Sequence, residues 1–306
     1  MDETHAGAVA VVATELATNL CRYAPGGLLS MQWLAAPSGD ALEIVASDRG
    51  PGIADIARCL SDGYSTGGTP GTGLGAVKRF SSEFDAYSTP GKGSAFVSRI
   101  ARDRATWRPN PGIRWGVFNR PMTGEVENGD TWRVSMDAGS ARFFVVDGLG
   151  HGPTAAIAAS TAGETFARYP HYTPQQFMEA AHRDLAGTRG AAAALLQVDT
   201  ASGDASYAGI GNISSCILGG GAQKGLISHN GTLGVATRKV QAFAYAWNPG
   251  ALLVMHSDGI KTRWSLDEYP GLITRHPSVI AATIARDFSR GNDDSTILVA
   301  RRERLT

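Results

Sequence analysis

Residues 102–112 form a polar stretch with two prolines that divides the chain into two parts of different hydrophobic pattern. Before this stretch, a helical period is followed by strand-like runs and a glycine-rich loop. After it, short apolar runs typical of strands predominate. A chain of 306 residues is long enough for two domains with separate cores. We therefore predict a first domain at 1–101, a linker at 102–112 and a second domain at 113–306.

The first part is predicted to contain helices and strands. A helix over 4–23 has an apolar face formed by Val9, Val12, Leu16 and Leu20, which recur every three or four residues. Further strands are predicted at 28–35, 42–47, 84–88 and 94–100, and further helices at 53–60 and 76–82.

The second part is predicted to be a sandwich of sheets with a few helices. Its strands are predicted at 114–119, 131–138, 142–146, 192–199, 206–209, 213–218, 252–256 and 295–300. Its helices are predicted at 153–169, 174–186 and 278–288, and the first two begin near a proline, which is common in the first helical turn.

Charge and composition exclude several functional classes. Lys plus Arg and Asp plus Glu both number 28, so no basic surface for nucleic acid or anionic lipid is expected. No apolar run approaches the roughly 18 residues that cross a bilayer, and no basic secretion signal precedes the first helix. The three cysteines are isolated, which argues against a disulfide framework. We therefore predict a cytoplasmic protein without nucleic-acid or membrane partners.

Two features of the first part point to a nucleotide site. Glu15 and Asn19 lie four residues apart on one helix face, where a carboxylate can accept a proton and an amide oxygen can bind Mg²⁺. Asp48 ends a strand and is followed by Gly50 and Gly52, which allow the backbone to approach a flat ligand such as adenine. Each feature also has an ordinary explanation, a solvated helix face for the pair and a capped turn for Asp48.

The third feature is the glycine-rich loop at 63–75. Its exposed amides lead into a helix N-terminus, which favours phosphate groups. Glycine is in excess in the whole chain, with 38 of 306 residues, against a usual share of about 7%. The loop matches neither a Walker loop nor the spacing of a dinucleotide fingerprint, so alone it is weak support.

In their order along the chain, the segments ELATN, DRGPGI and GTGLG resemble the GHKL (Bergerat-type) ATP-binding fold. Within that superfamily, residues 8–100 are similar to the RsbT-like serine kinases and anti-sigma factors, with the matching segments GPGIADI, DGYSTGG and GAVKRFSSEFDAYSTPGKGS. The resemblance implies an α/β sandwich that binds ATP with Mg²⁺. It implies Glu15 as general base for a protein hydroxyl, Asn19 as Mg²⁺ ligand, and Asp48 as adenine acceptor near Ser94. The other implied nucleotide contacts are Gly50, Gly52, Gly71, Thr72, Gly73, Leu74 and Gly75.

Acidic residues stand at four predicted strand ends or turns of the second part: Asp130, Asp147, Asp258 and the pair Asp293 and Asp294. Clustered carboxylates need a counter-charge, which two hard divalent cations with oxygen ligands supply, and Mg²⁺ or Mn²⁺ suits them better than Zn²⁺. For any one of these sites, an ordinary Asp-Gly turn is the commoner explanation. The nearby His151 is either a substrate contact or, more commonly, a surface histidine.

Six segments between residues 113 and 302 resemble the SpoIIE-type branch of the PPM phosphatases, in particular the RsbX-like group: VVDGLGHG, RGAAAALLQV, YAGIGN, HNGTLGV, LLVMHSDGI and NDDSTILVA. The resemblance implies an α-β-β-α sandwich and two Mn²⁺ or Mg²⁺ ions. It implies that Asp147 bridges the ions, that the Gly148 carbonyl binds one, and that Asp258 and Asp293 bind the other. It places Asp130 close by as a ligand or supporting residue.

Together, the two resemblances imply a two-domain α/β protein with opposed activities. The predicted function is that of a partner-switching regulator, a protein serine kinase and a metal-dependent phosphatase acting on STAS-domain antagonist proteins, with other sigma-factor regulators as further partners. Related kinase domains have a strand and a helix before the first helix, whereas only about a dozen residues precede Glu15. The alternative is therefore a phosphatase whose first domain binds ATP or a partner without phosphotransfer.

Overall fold

The computed structural model describes residues 3–34, 39–60, 73–107, 112–137 and 139–303 and divides into two compact units. The first unit comprises Met1–Asn110 and Ser265–Asp287, and the second comprises Pro111–Trp264 and Phe288–Thr306. The predicted domain boundaries placed every residue after 113 in the second domain. The structure instead groups Ser265–Asp287 with the first unit.

The described residues of the first unit form one antiparallel sheet with three helices before residue 102. Its elements before residue 102 are α1 (Glu3–Tyr23), β1 (Leu28–Leu34), β2 (Ala41–Asp48), α2 (Ile56–Cys59), α3 (Gly73–Phe80), β3 (Glu83–Thr89) and β4 (Gly93–Ala101). The strand order is β1-β2-β4-β3. The predicted apolar face of α1 is buried, since Val12 and Leu16 pack with Ile44 and Phe96 of the sheet and with Val77 of α3.

The second unit contains two five-stranded antiparallel sheets. Its helices are α4 (Pro153–Arg168) and α5 (Pro174–Asp184), and its strands are β5 (Ile113–Arg120), β6 (Asp130–Met136), β7 (Ser140–Gly148), β8 (Ala191–Asp199), β9 (Asp204–Ile210), β10 (Ser214–Gly219), β11 (Ala222–Gly225), β12 (Gly231–Thr232), β13 (Ala236–Thr237), β14 (Phe243–Ala246), β15 (Leu252–His256) and β16 (Ser295–Arg302). The sheet orders are β11-β10-β15-β16-β5 and β14-β9-β8-β7-β6, and β12 pairs with β13 separately.

Alternation along the strands builds the core of the second unit. Phe143 and Val145 of β7 point toward Leu253 and Met255 of β15 and form the core between the sheets. The intervening residues of β7, including Phe144, pack under α4 and α5 on the other face. The unit therefore has a helix-sheet-sheet arrangement.

The helix α6 (Pro277–Phe288) is buried along most of its length. All of it except Phe288 belongs to the first unit. There, Ser278 of α6 donates to Glu43 of β2 at 2.7 Å and accepts from Arg99 of β4 at 3.3 Å. Every residue of β4 is buried, as expected for a strand covered on both faces.

None of the helices in the described ranges is both long and apolar enough to cross a membrane.

Candidate nucleotide cavity and acidic centre

Most of the predicted nucleotide contacts lie around one cavity of about 330 Å³ in the first unit. The predicted residues that line it are Glu15, Asn19, Asp48, Gly52, Gly73, Leu74 and Ser94. They come from four separate parts of the sequence, which α1, α3 and the sheet bring together. Apolar side chains such as Leu16 and Phe96 complete the wall, so the cavity offers both an apolar surface and a few polar groups, as ligand sites usually do.

The strand register places Asp48 directly opposite Ser94 on β2 and β4. Gly50 donates its backbone N–H to Oδ1 of Asp48 at 2.8 Å, and Oδ2 has no hydrogen bond among the described residues. Oδ2 can therefore accept a hydrogen bond from a ligand. The Ser94 hydroxyl bonds the Ser88 hydroxyl at 2.9 Å, and Ser88 accepts the Ile53 N–H at 2.7 Å, which fixes the turn after β2.

Four of the predicted nucleotide contacts are not among the described residues that line the cavity. Gly50 holds Asp48 and does not line the cavity, and Gly75 is buried within α3. Gly71 and Thr72 lie outside the described residues. Sequence reasoning did not identify Arg22 and Cys59, which also line the cavity.

Gly93 is expected to be essential for this corner of the sheet. Its φ is +87°, and a Cβ there would overlap the carbonyl group of Asp48. Gly91, two residues earlier, has a similar φ of +76° but has open space around it, so it is a matched control. We expect Gly91→Ala to cost about 1 kcal/mol of unfolding free energy and Gly93→Ala at least about 2 kcal/mol more. Urea denaturation of both variants measures the difference, and equal costs would contradict the close approach.

The second unit brings the predicted acidic residues to one end of its two sheets. Asp130 and Asp147 face each other in the register of β6 and β7. Asp258 follows β15 and Asp293 precedes β16, and these two strands are paired with each other. The turn chemistry of Asp-Gly and the strand pairing together place the carboxylates near one another.

The carboxylates interact strongly. Burial raises the pKa of Asp147 to about 9, with further increases from the charges of Asp130, Asp258, Asp293 and Asp294. Burial is also the main reason that the pKa of Asp130 rises to about 7, although a hydrogen bond from Ser257 opposes the increase. Such a group of acids needs cations if all its members are to be ionised at neutral pH.

Asp130 provides a test of whether cations fit. Its Oδ2 accepts the Ser257 hydroxyl at 2.6 Å, while its Oδ1 is buried without a hydrogen-bond partner among the described residues. An unpartnered buried carboxylate oxygen is suited to a cation or an ordered water. Within the same described ranges, however, no three His, Cys, Asp or Glu side chains are grouped closely enough to hold one ion by themselves. Carbonyl or water oxygens would therefore have to complete the coordination, as is usual for Mg²⁺.

Two further residues form hydrogen bonds around this acidic centre. Sequence reasoning did not assign a role to Asn212, and it named Asp294 only as the neighbour of Asp293. Asn212 donates to Oδ2 of Asp258 at 2.8 Å and orients it. Both oxygens of Asp294 accept backbone N–H groups, from Met122 at 2.8 Å and from Gly129 at 3.0 Å, so Asp294 fixes two loops. Asn212 ends the segment YAGIGN, but the sequence does not show that it reaches Asp258, which lies 46 residues further along the chain.

Gly148 is the last residue of β7, and His151 lies in the loop that follows it. A side chain at Gly148 would overlap the backbone carbonyl of Ala155 in α4, so the close approach of helix and strand requires glycine. His151 is exposed, and its Nδ1 lies 2.9 Å from Oε1 of Glu125. The structure thus pairs His151 with an acid at the surface.

The family model described as Stage II sporulation protein E (SpoIIE) matches residues 137–303, more than half of the 306-residue chain. The chain belongs to the SpoIIE family. The matched range of this SpoIIE-family protein contains Asp147, Asp258 and Asp293.

Two solved structures of other proteins have a related fold. The PP2C phosphatase domain of SpoIIE from Bacillus subtilis, with a fragment of its regulatory domain, is 17% identical with a TM-score of 0.56, covering 99% of this chain and 95% of that one. RsbX in complex with magnesium is 19% identical with a TM-score of 0.55, covering 64% of this chain and 98% of that one. The SpoIIE-family protein therefore has a mixed α/β fold related to PP2C-type, or PPM, phosphatases.

One curated relative matches a shorter stretch. The serine/threonine-protein kinase RsbT of Bacillus subtilis (strain 168) is 40% identical over 86 residues, which are 28% of this chain. The chain spans 65% of the length of RsbT.

Proposed function

We propose that the second unit is a metal-dependent phosphoserine and phosphothreonine phosphatase. The observation that carries the proposal is the convergence of Asp130, Asp147 and Asp258 with Asp293, where mutual repulsion and burial favour cation binding. Family membership and the PPM-type fold support the same activity.

In this proposal, Asp147 would bind both divalent ions, the Gly148 carbonyl would bind one of them, and Asp258 and Asp293 would bind the other. Bound Mg²⁺ or Mn²⁺ would neutralise phosphoryl charge and lower the pKa of a coordinated water. Asn212 orients Asp258 and Ser257 orients Asp130, and such supporting hydrogen bonds typically matter for affinity by about 10–100-fold. RsbX, a structure with related fold, was solved with magnesium.

The proposed substrates are small phosphorylated STAS-domain proteins of a cytoplasmic partner-switching system, with other sigma-factor regulators as further partners. The support comes from the similarity of part of the chain to RsbT and from the membership of the chain in the SpoIIE family.

Dephosphorylation of a phosphoserine-containing STAS protein tests this proposal. We expect Mn²⁺-dependent release of phosphate and, in Asp258→Asn, a loss of more than about 100-fold, because a direct ligand matters more than its supporting residues. Asp204→Asn, at an exposed position of the same unit, should keep full activity. Undiminished release by Asp258→Asn would contradict the proposal.

For the first unit, we propose ATP binding with Mg²⁺ and transfer of the terminal phosphoryl group to a serine of the same STAS proteins. The cavity lined by Glu15, Asn19 and Asp48 favours this candidate. Asp48 would accept the adenine amino group, Asn19 would bind the ion, and Glu15 would take the proton of the attacking hydroxyl. The alternative is a domain that binds ATP or a partner without transfer.

Labelled ATP distinguishes the two alternatives. We expect Glu15→Ala to retain ATP binding and to reduce transfer by at least about 100-fold, the usual contribution of a general base. Transfer equal to that of the unmodified protein would exclude Glu15 as the base. ATP binding without any transfer in the unmodified protein would favour the binding-only alternative.

A further inference from the structure

The segment Ser265–Asp287 connects the two parts of the acidic centre, although it belongs to the first unit. Asp258 lies shortly before the segment and Asp293 shortly after it. The two proposed ligands of one metal ion are therefore joined by a stretch of chain that is packed into the other unit.

The chain leaves and re-enters the second unit through a hydrogen-bonded neck, which we define as residues 259–261 and 288–290. Lys261 donates its N–H to the carbonyl of Phe288 at 2.9 Å, and Arg290 donates its N–H to the carbonyl of Gly259 at 2.8 Å. A bridge between Ile260 and Ser289 lies between these bonds. The neck thus begins directly after Asp258 and ends three residues before Asp293.

The other end of the connection reaches the nucleotide cavity. Arg286 of α6 has a side chain that is only 4% exposed, and its Nη1 donates to the carbonyl of Asp48 at 3.0 Å and to that of Ser94 at 3.4 Å. Both carbonyls belong to residues that line the cavity. Asp287 holds the guanidinium in place through an Nη2–Oδ2 distance of 2.6 Å.

The segment is also fixed along its length. Ser278 bonds Glu43 and Arg99 in the sheet, and the backbone N–H of His276 donates to Asp85 of β3 at 2.6 Å. Arg286 lies two residues before Phe288 of the neck, within one continuous helix. A change at the Asp48 and Ser94 carbonyls can therefore be carried to the neck by a rigid element.

We propose that adenine nucleotide bound in the first unit activates the acidic centre through α6, with Arg286 as the positioning residue. The proposal rests on the proposed nucleotide binding and phosphatase functions. A ligand shifts an equilibrium only by its differential affinity for the two states. A nucleotide seated on Asp48 and Ser94 favours the state in which Arg286 holds their carbonyls, and this state keeps the neck closed and Asp258 near Asp293.

The experiment measures phosphatase activity, hydrogen exchange and ADP binding on the full chain. Hydrolysis of p-nitrophenyl phosphate is measured with and without ADP at constant free Mn²⁺, and hydrogen exchange is followed in the peptides that contain the neck. ADP should increase hydrolysis about fivefold or more, a typical coupling between sites, and should slow exchange in the neck. These measurements on the unmodified protein need no variant to fold.

Arg286→Ala should still bind ADP in calorimetry, but ADP should neither increase its hydrolysis nor slow hydrogen exchange in its neck. Arg168→Ala is the matched control, because Arg168 is an exposed arginine near the end of α4 whose ion pair is with Asp184, and it should keep both responses.

The failures are distinguishable. If ADP binds and the protein hydrolyses p-nitrophenyl phosphate, but ADP changes neither the rate of hydrolysis nor the hydrogen exchange of the neck, the coupling alone would be overturned. Absence of ADP binding would overturn the coupling together with the proposed nucleotide function. Slower exchange in the neck with no Mn²⁺-dependent hydrolysis would support the coupling and contradict the proposed phosphatase.

Discussion

Metal-free protein carrying Asp147→Asn is expected to unfold at a higher temperature than the unmodified protein at neutral pH. Asp147 is partly buried opposite Asp130, and the pKa of its carboxyl is raised to about 9 from 3.8. Protonation therefore favours the folded metal-free state. This contribution is complete below about pH 3.8 and is lost as the pH rises toward 9, because between these values the unfolded chain ionises Asp147 whereas the folded protein has to keep it protonated.

Asparagine keeps the shape and cannot ionise in either state, so we expect Asp147→Asn to raise the melting temperature by about 3 °C or more at neutral pH without metal. The increase should shrink as the pH is lowered toward 4, because Asp147 then becomes protonated in the unfolded chain as well. Differential scanning calorimetry between these pH values measures both effects.

With saturating Mn²⁺, the unmodified protein should instead have a higher melting temperature than Asp147→Asn. The unmodified protein gains stability in proportion to the logarithm of the metal concentration over its dissociation constant, and Asp147→Asn should gain little. Its phosphatase activity should fall by more than about 100-fold. The control Asp204→Asn should follow the unmodified protein in every condition. A variant that melts lower without metal, or that responds normally to Mn²⁺, would show that Asp147 does not stand in a cation site.

A large loss of stability is expected when Arg99 of the first unit is replaced. Its Nε lies 2.7 Å from Oε2 of Glu43 and its Nη1 lies 3.1 Å from Oε2 of Glu83. The Glu43 side chain is fully buried and that of Arg99 is 7% exposed. Removing one partner of a buried ion pair leaves an uncompensated charge, which costs about 3–5 kcal/mol.

We therefore expect Arg99→Met to destabilise the first unit by about 3–5 kcal/mol in urea denaturation. The exposed pair of Arg168 and Asp184 is the control, and Arg168→Ala should cost less than about 1 kcal/mol. Adding Glu43→Gln to Arg99→Met should recover part of the loss, because the double variant no longer buries a lone charge. A loss below about 1 kcal/mol for Arg99→Met would mean that Glu43 does not need this cation.

Much of the fold could be predicted because its elements carry local signals. The three- and four-residue spacing of Val12, Leu16 and Leu20 identified α1, and the strand predicted at 252–256 is found at those bounds. The short strand β14 (Phe243–Ala246) was missed, because four residues are too few to show a pattern.

The packing of α6 could not be predicted in the same way. An apolar periodicity predicts that a helix forms but not which sheet it covers. Ser278 of α6 meets Glu43, a residue 235 positions earlier in the chain, and a local pattern cannot predict such a contact.

In the candidate sites, too, some residues could be predicted from local patterns and others could not. Glu15, Asn19 and Asp48 belong to recognisable motifs and meet at one cavity. The role of Asn212 depends on its bond to Asp258, which the segment YAGIGN does not reveal. Arg286 carries no motif, since it is defined by bonds to backbone carbonyls that any residue could provide. Sequence patterns find residues of distinctive chemistry, whereas supporting residues emerge only from the folded arrangement.

The assignment of Ser265–Asp287 to the first unit affects how the protein can be divided. The chain passes between the units after Asn110, after Trp264 and after Asp287. A protease that cuts only within 102–112 would therefore leave two fragments, and the larger one would still contribute α6 to the fold of the smaller. We expect these fragments to elute together in gel filtration until a denaturant is added, and an isolated 1–101 fragment to need α6 supplied in trans.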